Sequence, residues 1–225
     1  MKIVKAINSL KKGKFLIICD SPNREKEADL VIHASFCTPK VIKTLRNEAG
    51  GMICLVINKD IAKKLGLDFF NKKLLELKGV YRKLTVKKTP YGDSPAFSIY
   101  INSKKCYTGI SDEDRAKTIK EFEKMVSKNK DKKKLKAEFV KNFYSPGHIP
   151  LLIAENLNKR KGHSEYSIEL AKRAGLSPVM VISEMLGEDY KAMEFKKAKE
   201  YAKKKRLVVM ESMDFEELDQ RKGRK

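Results

Sequence analysis

Short apolar runs alternate with charged stretches along the chain. Phe15-Leu16-Ile17-Ile18-Cys19, Leu30-Val31-Ile32-His33-Ala34 and Met52-Ile53-Cys54-Leu55-Val56-Ile57 are continuous runs of strand length. Strands covered on both faces read this way. They predict strands over 14–19, 29–36 and 52–57, the last of them central. Phe97-Ser98-Ile99-Tyr100-Ile101 alternates, as a half-buried strand does. Residues 151–154, 178–184 and 206–210 complete the strand set. Between these runs the period changes to that of a helix. Ile3, Ile7 and Leu10 predict a helix over 2–11, ended by Gly13. Thr38-Pro39 starts another, with Val41, Ile42 and Leu45 on its buried face and Gly50-Gly51 as its stop. Asn58 caps a short helix through Leu65, Ser111 caps one running to about 128, and 160–165 opens one with Ile168, Leu170, Ala171 and Ala174 as its apolar face and Gly175 as its cap. Helices over 191–205 and near 214–219 close the chain. Residues 73–77 read as helical, Tyr81 to Val86 alternates like a strand, and 128–141 reads as a charged, partly helical connector. Ser145-Pro146-Gly147-His148-Ile149-Pro150 is too rich in proline for a helix and predicts an exposed turn presenting His148. Strands and helices alternate without a linker or repeat. The expectation is one α+β or mixed α/β domain over 1–225, with a central mixed sheet flanked by helices.

Composition narrows the function classes. The chain has 225 residues, 41% of them hydrophobic and 35% charged, enough for a sizeable core under a charged surface. No apolar run reaches the roughly 20 residues of a membrane helix, and the N-terminus lacks the apolar core of a signal peptide. The four cysteines, at 19, 37, 54 and 106, form no Cys-x-x-Cys pair and read as free thiols of a reducing compartment. A cytoplasmic protein is expected. The net charge of +21 raises nucleic acid as a partner. Yet the lysines concentrate at 120–141 and 191–206, interleaved with Glu and apolar residues, as on solvated helix faces. No aromatic-basic, helix-turn-helix or zinc-finger pattern accompanies them. The sequence argues against a nucleic-acid or membrane partner.

Candidate chemistry concentrates in Asp20-Ser21-Pro22-Asn23-Arg24-Glu25-Lys26-Glu27-Ala28-Asp29, where the chain leaves one strand and enters the next. Four carboxylates with one arginine can bind a hard cation, hold an anion and move protons; a solvated acidic turn has the same composition. Thr108-Gly109-Ile110-Ser111-Asp112-Glu113-Asp114 has two readings, a capping box and a phosphate seat at a helix N-terminus. Of the three histidines, His33 lies in an apolar strand and reads as core, while His148 and His163 each follow a glycine in a loop.

Five collinear motifs make the pattern specific: Asp20…Arg24-Glu25-x-Glu27-x-Asp29-Leu30, Gly51-x-Ile53-Cys54, Thr108-Gly109-Ile110-Ser111-x-x-Asp114-Arg115-x-x-Thr118, Pro146-Gly147-His148 and Arg160-x-Gly162-His163-Ser164-Glu165. Together they resemble 3,4-dihydroxy-2-butanone 4-phosphate synthase in its stand-alone, archaeal-like form, over essentially the whole chain. The resemblance implies a carbon–carbon lyase of riboflavin biosynthesis that turns ribulose 5-phosphate into 3,4-dihydroxy-2-butanone 4-phosphate and formate. It implies Mg2+, or Mn2+ in its place, held by Glu25 and His163, and His148 and Glu184 as the essential catalytic positions. Asp20 and Cys54 are then expected to line the pocket and relay protons. Arg24, Glu25, Asp29, Thr108, Arg160, Lys161, Gly162, His163 and Ser164 are expected to bind the substrate. A homodimer with the site near its interface is implied too, with His163 meeting Glu25 across it. Glu27 acquires no role. Two rival readings stand beside this one: another metal-dependent phosphosugar isomerase or aldolase, and a nucleic-acid-binding protein on the same scaffold.

Overall fold

A computed structural model describes residues 2–21, 23–129 and 131–216. Strands β1 (Leu16–Cys19) and β2 (Ala28–His33) form an antiparallel pair around the acidic loop. β3 (Cys54–Asn58), β4 (Phe97–Ser103), β5 (Phe143–Ala154), β6 (Val179–Glu184) and β7 (Val208–Glu211) join them in one mixed sheet of order β4-β5-β3-β6-β2-β1-β7. β3 pairs parallel with β5 and β1 parallel with β7; the other neighbours are antiparallel.

The continuous apolar runs become strands because both sheet faces are covered. Ala28, Leu30 and Ile32 of β2 and Leu55 and Ile57 of β3 pack toward α2 (Pro39–Glu48), α3 (Lys59–Leu65), α6 (Asp112–Lys128), α7 (Lys132–Asn142) and α9 (Phe195–Lys205). Their alternates Val31, Cys54 and Val56 pack with α1 (Lys2–Lys11) and α8 (His163–Arg173) on the opposite face. The period of two divides each strand between the layers. The predicted caps are in place: the side chains of Thr38, Asn58 and Ser111 accept from the N–H groups of Val41, Ile61 and Asp114. Asp114 does not return to Ser111 as a capping box requires; its carboxylate accepts from the Gly109 N–H at 3.0 Å and pins the preceding loop.

The structure corrects several local expectations. β2 stops at His33, and 34–36 form a 3-10 turn. Residues 81–86 do not form a strand; α5 (Val80–Leu84) occupies this region, after α4 (Phe70–Glu76). None of its residues is buried, so the alternation there meets no sheet face. The connector at 128–141 is mostly the helix α7, capped by Asp131. The stretch 145–150 is not a free turn but the outer part of β5, lying on β4 through an irregular register. Gly147 permits this, since a Cβ there would stand 2.0 Å from the Ile101 carbonyl carbon. The terminal helix is present over 212–216, and 217–219 of that expectation lie outside the described residues. Among the described residues, no helix is long and apolar enough to cross a membrane.

Candidate active site

Sheet register builds the floor of the site. Asp29 pairs with Glu184 across β2 and β6, and Cys54 pairs with Ile182 across β3 and β6. All four face a cleft of about 290 Å3 on the α8 side of the sheet. The β1–β2 loop supplies Arg24, Glu25 and Glu27 to its rim, and the start of α8 supplies Gly162, His163 and Ser164.

His163 is the hub. Its Nδ1 lies 3.0 Å from Glu25 Oε2 and its Nε2 3.1 Å from the Glu27 carbonyl oxygen. A carbonyl and a carboxylate both accept, so both ring nitrogens donate and the imidazole is charged. Burial alone would lower its pKa, but Asp29, Glu25 and Asp20 carry it up to about 10. Burial would by contrast raise Glu25; the His163 contact, the Tyr91 hydroxyl and Arg24 outweigh it and hold that carboxyl at about 2. Glu25 and His163 thus meet within one chain, which corrects the expectation that they meet across a subunit interface.

Arg24 is clamped by carboxylates. Nη1 lies 2.6 Å from Asp20 Oδ2 and 2.9 Å from Glu25 Oε2, and Nε lies 2.8 Å from Asp93 Oδ2. The guanidinium carbon stands 4.7 Å from the centre of the Tyr91 ring. The remaining carboxyls are poised differently. Burial, with the charges of Glu184 and Glu25, lifts Glu27 to about 7. Burial, with Glu25 and Glu184, lifts Asp29 to about 6 against the pull of His163. Glu184 is raised by burial and by Glu25. Burial pushes the Cys54 thiol to about 12, so it faces the cleft as a neutral thiol rather than a proton carrier at pH 7.

The donor set suits a hard cation. One ligand atom each from Asp20, Glu25 and His163 lies within 4.8 Å of the others. Glu27, Asp29 and Glu184 add three more carboxyls to the same cleft, each raised first by burial and then by its acidic neighbours. Oxygen-rich sites with open positions fit Mg2+.

Other expected residues have different placements. Arg160 lines the cleft, but its guanidinium is engaged: Nε and Nη2 bind Glu165, Nη2 also binds the Ile153 carbonyl, and Nη1 the Ser94 carbonyl. The Lys161 side chain is exposed and reaches Glu216 at 3.4 Å. Thr108 and His148 do not line the cleft. They are exposed at the β4 edge of the sheet, beside Asn102. Tyr91 and Asp93 are functional neighbours that sequence reasoning missed. The Thr89-Pro90-Tyr91-Gly92 turn is a legible signal, with Gly92 N–H donating to the Thr89 carbonyl at 2.9 Å. Nothing local shows that this turn reaches Arg24, 69 positions away from Asp93.

The profile of the 3,4-dihydroxy-2-butanone 4-phosphate synthase family matches residues 4–217. A relative of that name from Methanothermobacter thermautotrophicus is 35% identical over 214 residues, 92% of this chain and 91% of its own. A riboflavin biosynthesis protein of Bacillus mycoides is 33% identical over 190 residues, 84% of this chain and 41% of its own. A solved structure of 3,4-dihydroxy-2-butanone 4-phosphate synthase in complex with two magnesium ions superposes with a TM-score of 0.72 at 26% identity, covering 95% of this chain and 94% of its own. The chain therefore belongs to the 3,4-dihydroxy-2-butanone 4-phosphate synthase family.

Proposed function

We propose that this chain acts in riboflavin biosynthesis as a Mg2+-dependent carbon–carbon lyase, converting ribulose 5-phosphate to 3,4-dihydroxy-2-butanone 4-phosphate and formate. The observation that carries the reading is the pair of half-buried Glu25 and buried His163, ringed by Asp20, Asp29, Glu27 and Glu184. Glu25 and His163 are assigned as ligands, with Asp20 beside them. A bound divalent cation would supply polarisation of the sugar's carbonyl oxygen. His163 must give up one proton to serve as a ligand, so binding and proton release are linked.

The reaction needs several proton transfers around one sugar. Carboxyls that face the sugar suit that task, and Glu27 and Asp29 line the cleft beside the proposed ligands. Glu184, opposite Asp29, shares the floor where the carbon skeleton would lie. Gly162, His163 and Ser164 present the N-terminus of α8, a seat for the phosphate. Arg160 holds that turn through Glu165, whose carboxylate also accepts from the Gly162 N–H at 3.2 Å.

The described chain is assigned as one catalytic domain that works as a homodimer, His148 and Thr108 of each copy entering the partner's cleft. The exposed Tyr107, Ile110 and Tyr144 beside them support this, as an apolar surface suited to a second copy. The free, buried Cys19, Cys37 and Cys54 support a reducing, cytoplasmic setting.

Purified protein incubated with ribulose 5-phosphate should release formate with Mg2+ and none with EDTA. Glu25→Gln and His163→Ala should each abolish release. Formate that persists in EDTA would overturn the metal assignment, and its absence under all conditions would overturn the activity.

A further inference from the structure

Asn102 sits on β4 with 1% of its surface exposed, beside the outer part of β5 that carries His148 and the loop that carries Thr108. Its side-chain Oδ1 accepts the His148 backbone N–H at 2.8 Å. A carbonyl oxygen alone can do this, so the other end of the amide is the NH2 group. That group donates to His148 Nδ1 at 3.0 Å and to the Tyr144 hydroxyl at 3.0 Å. Nδ1 must then be an unprotonated acceptor, and the ring proton of the neutral imidazole lies on Nε2. The loop over Asn102 is fitted to it as well. Gly109 has φ +92°, and a Cβ there would stand 2.0 Å from Asn102 Nδ2.

We propose that Asn102 is a positioning residue that fixes the tautomer of His148, so that this histidine meets the substrate as a neutral hydrogen-bond donor through Nε2. The proposal deepens the functional reading above and rests on His148 being catalytic. It narrows the roles of the titratable groups. A cleft carboxyl takes the proton from carbon and passes it to the C1 hydroxyl, which leaves as water, while the neutral His148 holds that oxygen through the Nε2–H hydrogen bond. The hydrogen bond to the backbone N–H locks the amide, and the amide locks the ring. A buried network of this kind orients a histidine as a carbonyl or carboxylate partner does elsewhere, but with the opposite nitrogen protonated.

Asn102→Asp is the decisive variant. Its carboxylate still accepts the His148 N–H but cannot donate to Nδ1, so the ring proton moves to Nδ1 and Nε2 loses it. The chain has three histidines, so a 15N-histidine spectrum of the intact protein is readable residue by residue once His148→Gln identifies the His148 signals. Wild-type His148 should show a protonated Nε2 and a bare Nδ1 at high pH, with coupling through the hydrogen bond to the Asn102 amide nitrogen. Asn102→Asp should show the reverse tautomer, and kcat should fall by about 10^2 to 10^3, the range of a lost preorganised hydrogen-bond donor, with KM changed by less than about threefold. A wild-type Nδ1–H tautomer, which needs no variant to observe, would overturn the proposal. So would an Asn102→Asp enzyme that flips the tautomer at full kcat. If His148→Ala turned over like wild type, the catalytic reading of His148 would fall and the donor role with it, whatever the tautomer.

Discussion

Arg160 offers a sharp test, because sequence pattern and structure give it different work. Its guanidinium and the Glu165 carboxylate are 7% and 1% exposed as side chains, with Nη2 to Oε1 at 2.7 Å. Glu165 also accepts the backbone N–H groups of Glu155 and Gly162, so the pair ties the end of β5 to the start of α8. Burial raises the Glu165 pKa and Arg160 opposes that rise. Arg160→Met keeps much of the side chain's volume and removes the charge, leaving a carboxylate buried with two backbone donors. Breaking a buried pair from one side costs about 3–5 kcal/mol. For a chain of this size each kcal/mol moves the midpoint by about 2–4 °C, a loss of roughly 6–20 °C. Urea unfolding followed by circular dichroism measures the free energy directly. The double variant Arg160→Met/Glu165→Leu should recover about 2–3 kcal/mol of the summed single losses, the signature of direct coupling. An Arg160→Met protein within about 1 kcal/mol of wild type, with KM for ribulose 5-phosphate greatly raised, would refute the reasoning and show the guanidinium acting on substrate.

Two further outcomes are expected. Tyr91 bonds Glu25, the ligand proposed above, through its hydroxyl, and groups that orient a metal ligand are worth about 10–100-fold in affinity. Mn2+ titration of the apo protein, read by electron paramagnetic resonance, should therefore show Tyr91→Phe binding at least about tenfold more weakly; equal affinity would make the contact incidental. His33 is buried and neutral, donating from Nε2 to the Ser177 carbonyl at 2.9 Å and accepting at Nδ1 from Ser35. Burial lowers its pKa below the ordinary value of 6.5, so its contribution is full above the unfolded pKa. That contribution falls with pH below 6.5, by up to about 1.4 kcal/mol per pH unit, until the folded pKa is reached. Between pH 7 and 5, His33→Gln should lose less stability in urea melts than wild type; parallel pH profiles would contradict this.

The sheet and its helices were legible in the sequence because burial on two faces forces apolar runs, as in β3, and because Thr38, Asn58 and Ser111 cap through their own local hydrogen bonds. The acidic loop was legible for its charge density. Tyr91 and Asp93 were not, since their roles come from contacts to Glu25 and Arg24 that no local pattern encodes. The strand character of 145–150 was hidden for a similar reason. It depends on Ile101 backbone lying against Gly147, a relation across β4 that the Pro-Gly spelling masks. Arg160 shows the reverse: its motif suggests a ligand contact, and only the fold reveals Glu165 as its partner.

The separation of Glu25 from His163, 138 positions along the chain, bears on how the protein folds. The β1–β2 hairpin is local and closes early, whereas its histidine counter-charge arrives only when α8 docks, after a long loop closure. Until then the hairpin holds four carboxylates with only Arg24 and Lys26 to offset them. Divalent cation should therefore recognise the finished chain and not its intermediates, adding about 2.7 kcal/mol at a hundredfold excess over its dissociation constant. In refolding experiments the ion should slow unfolding while leaving the first folding phase unchanged, so its uptake would serve as a clock for the last step of assembly.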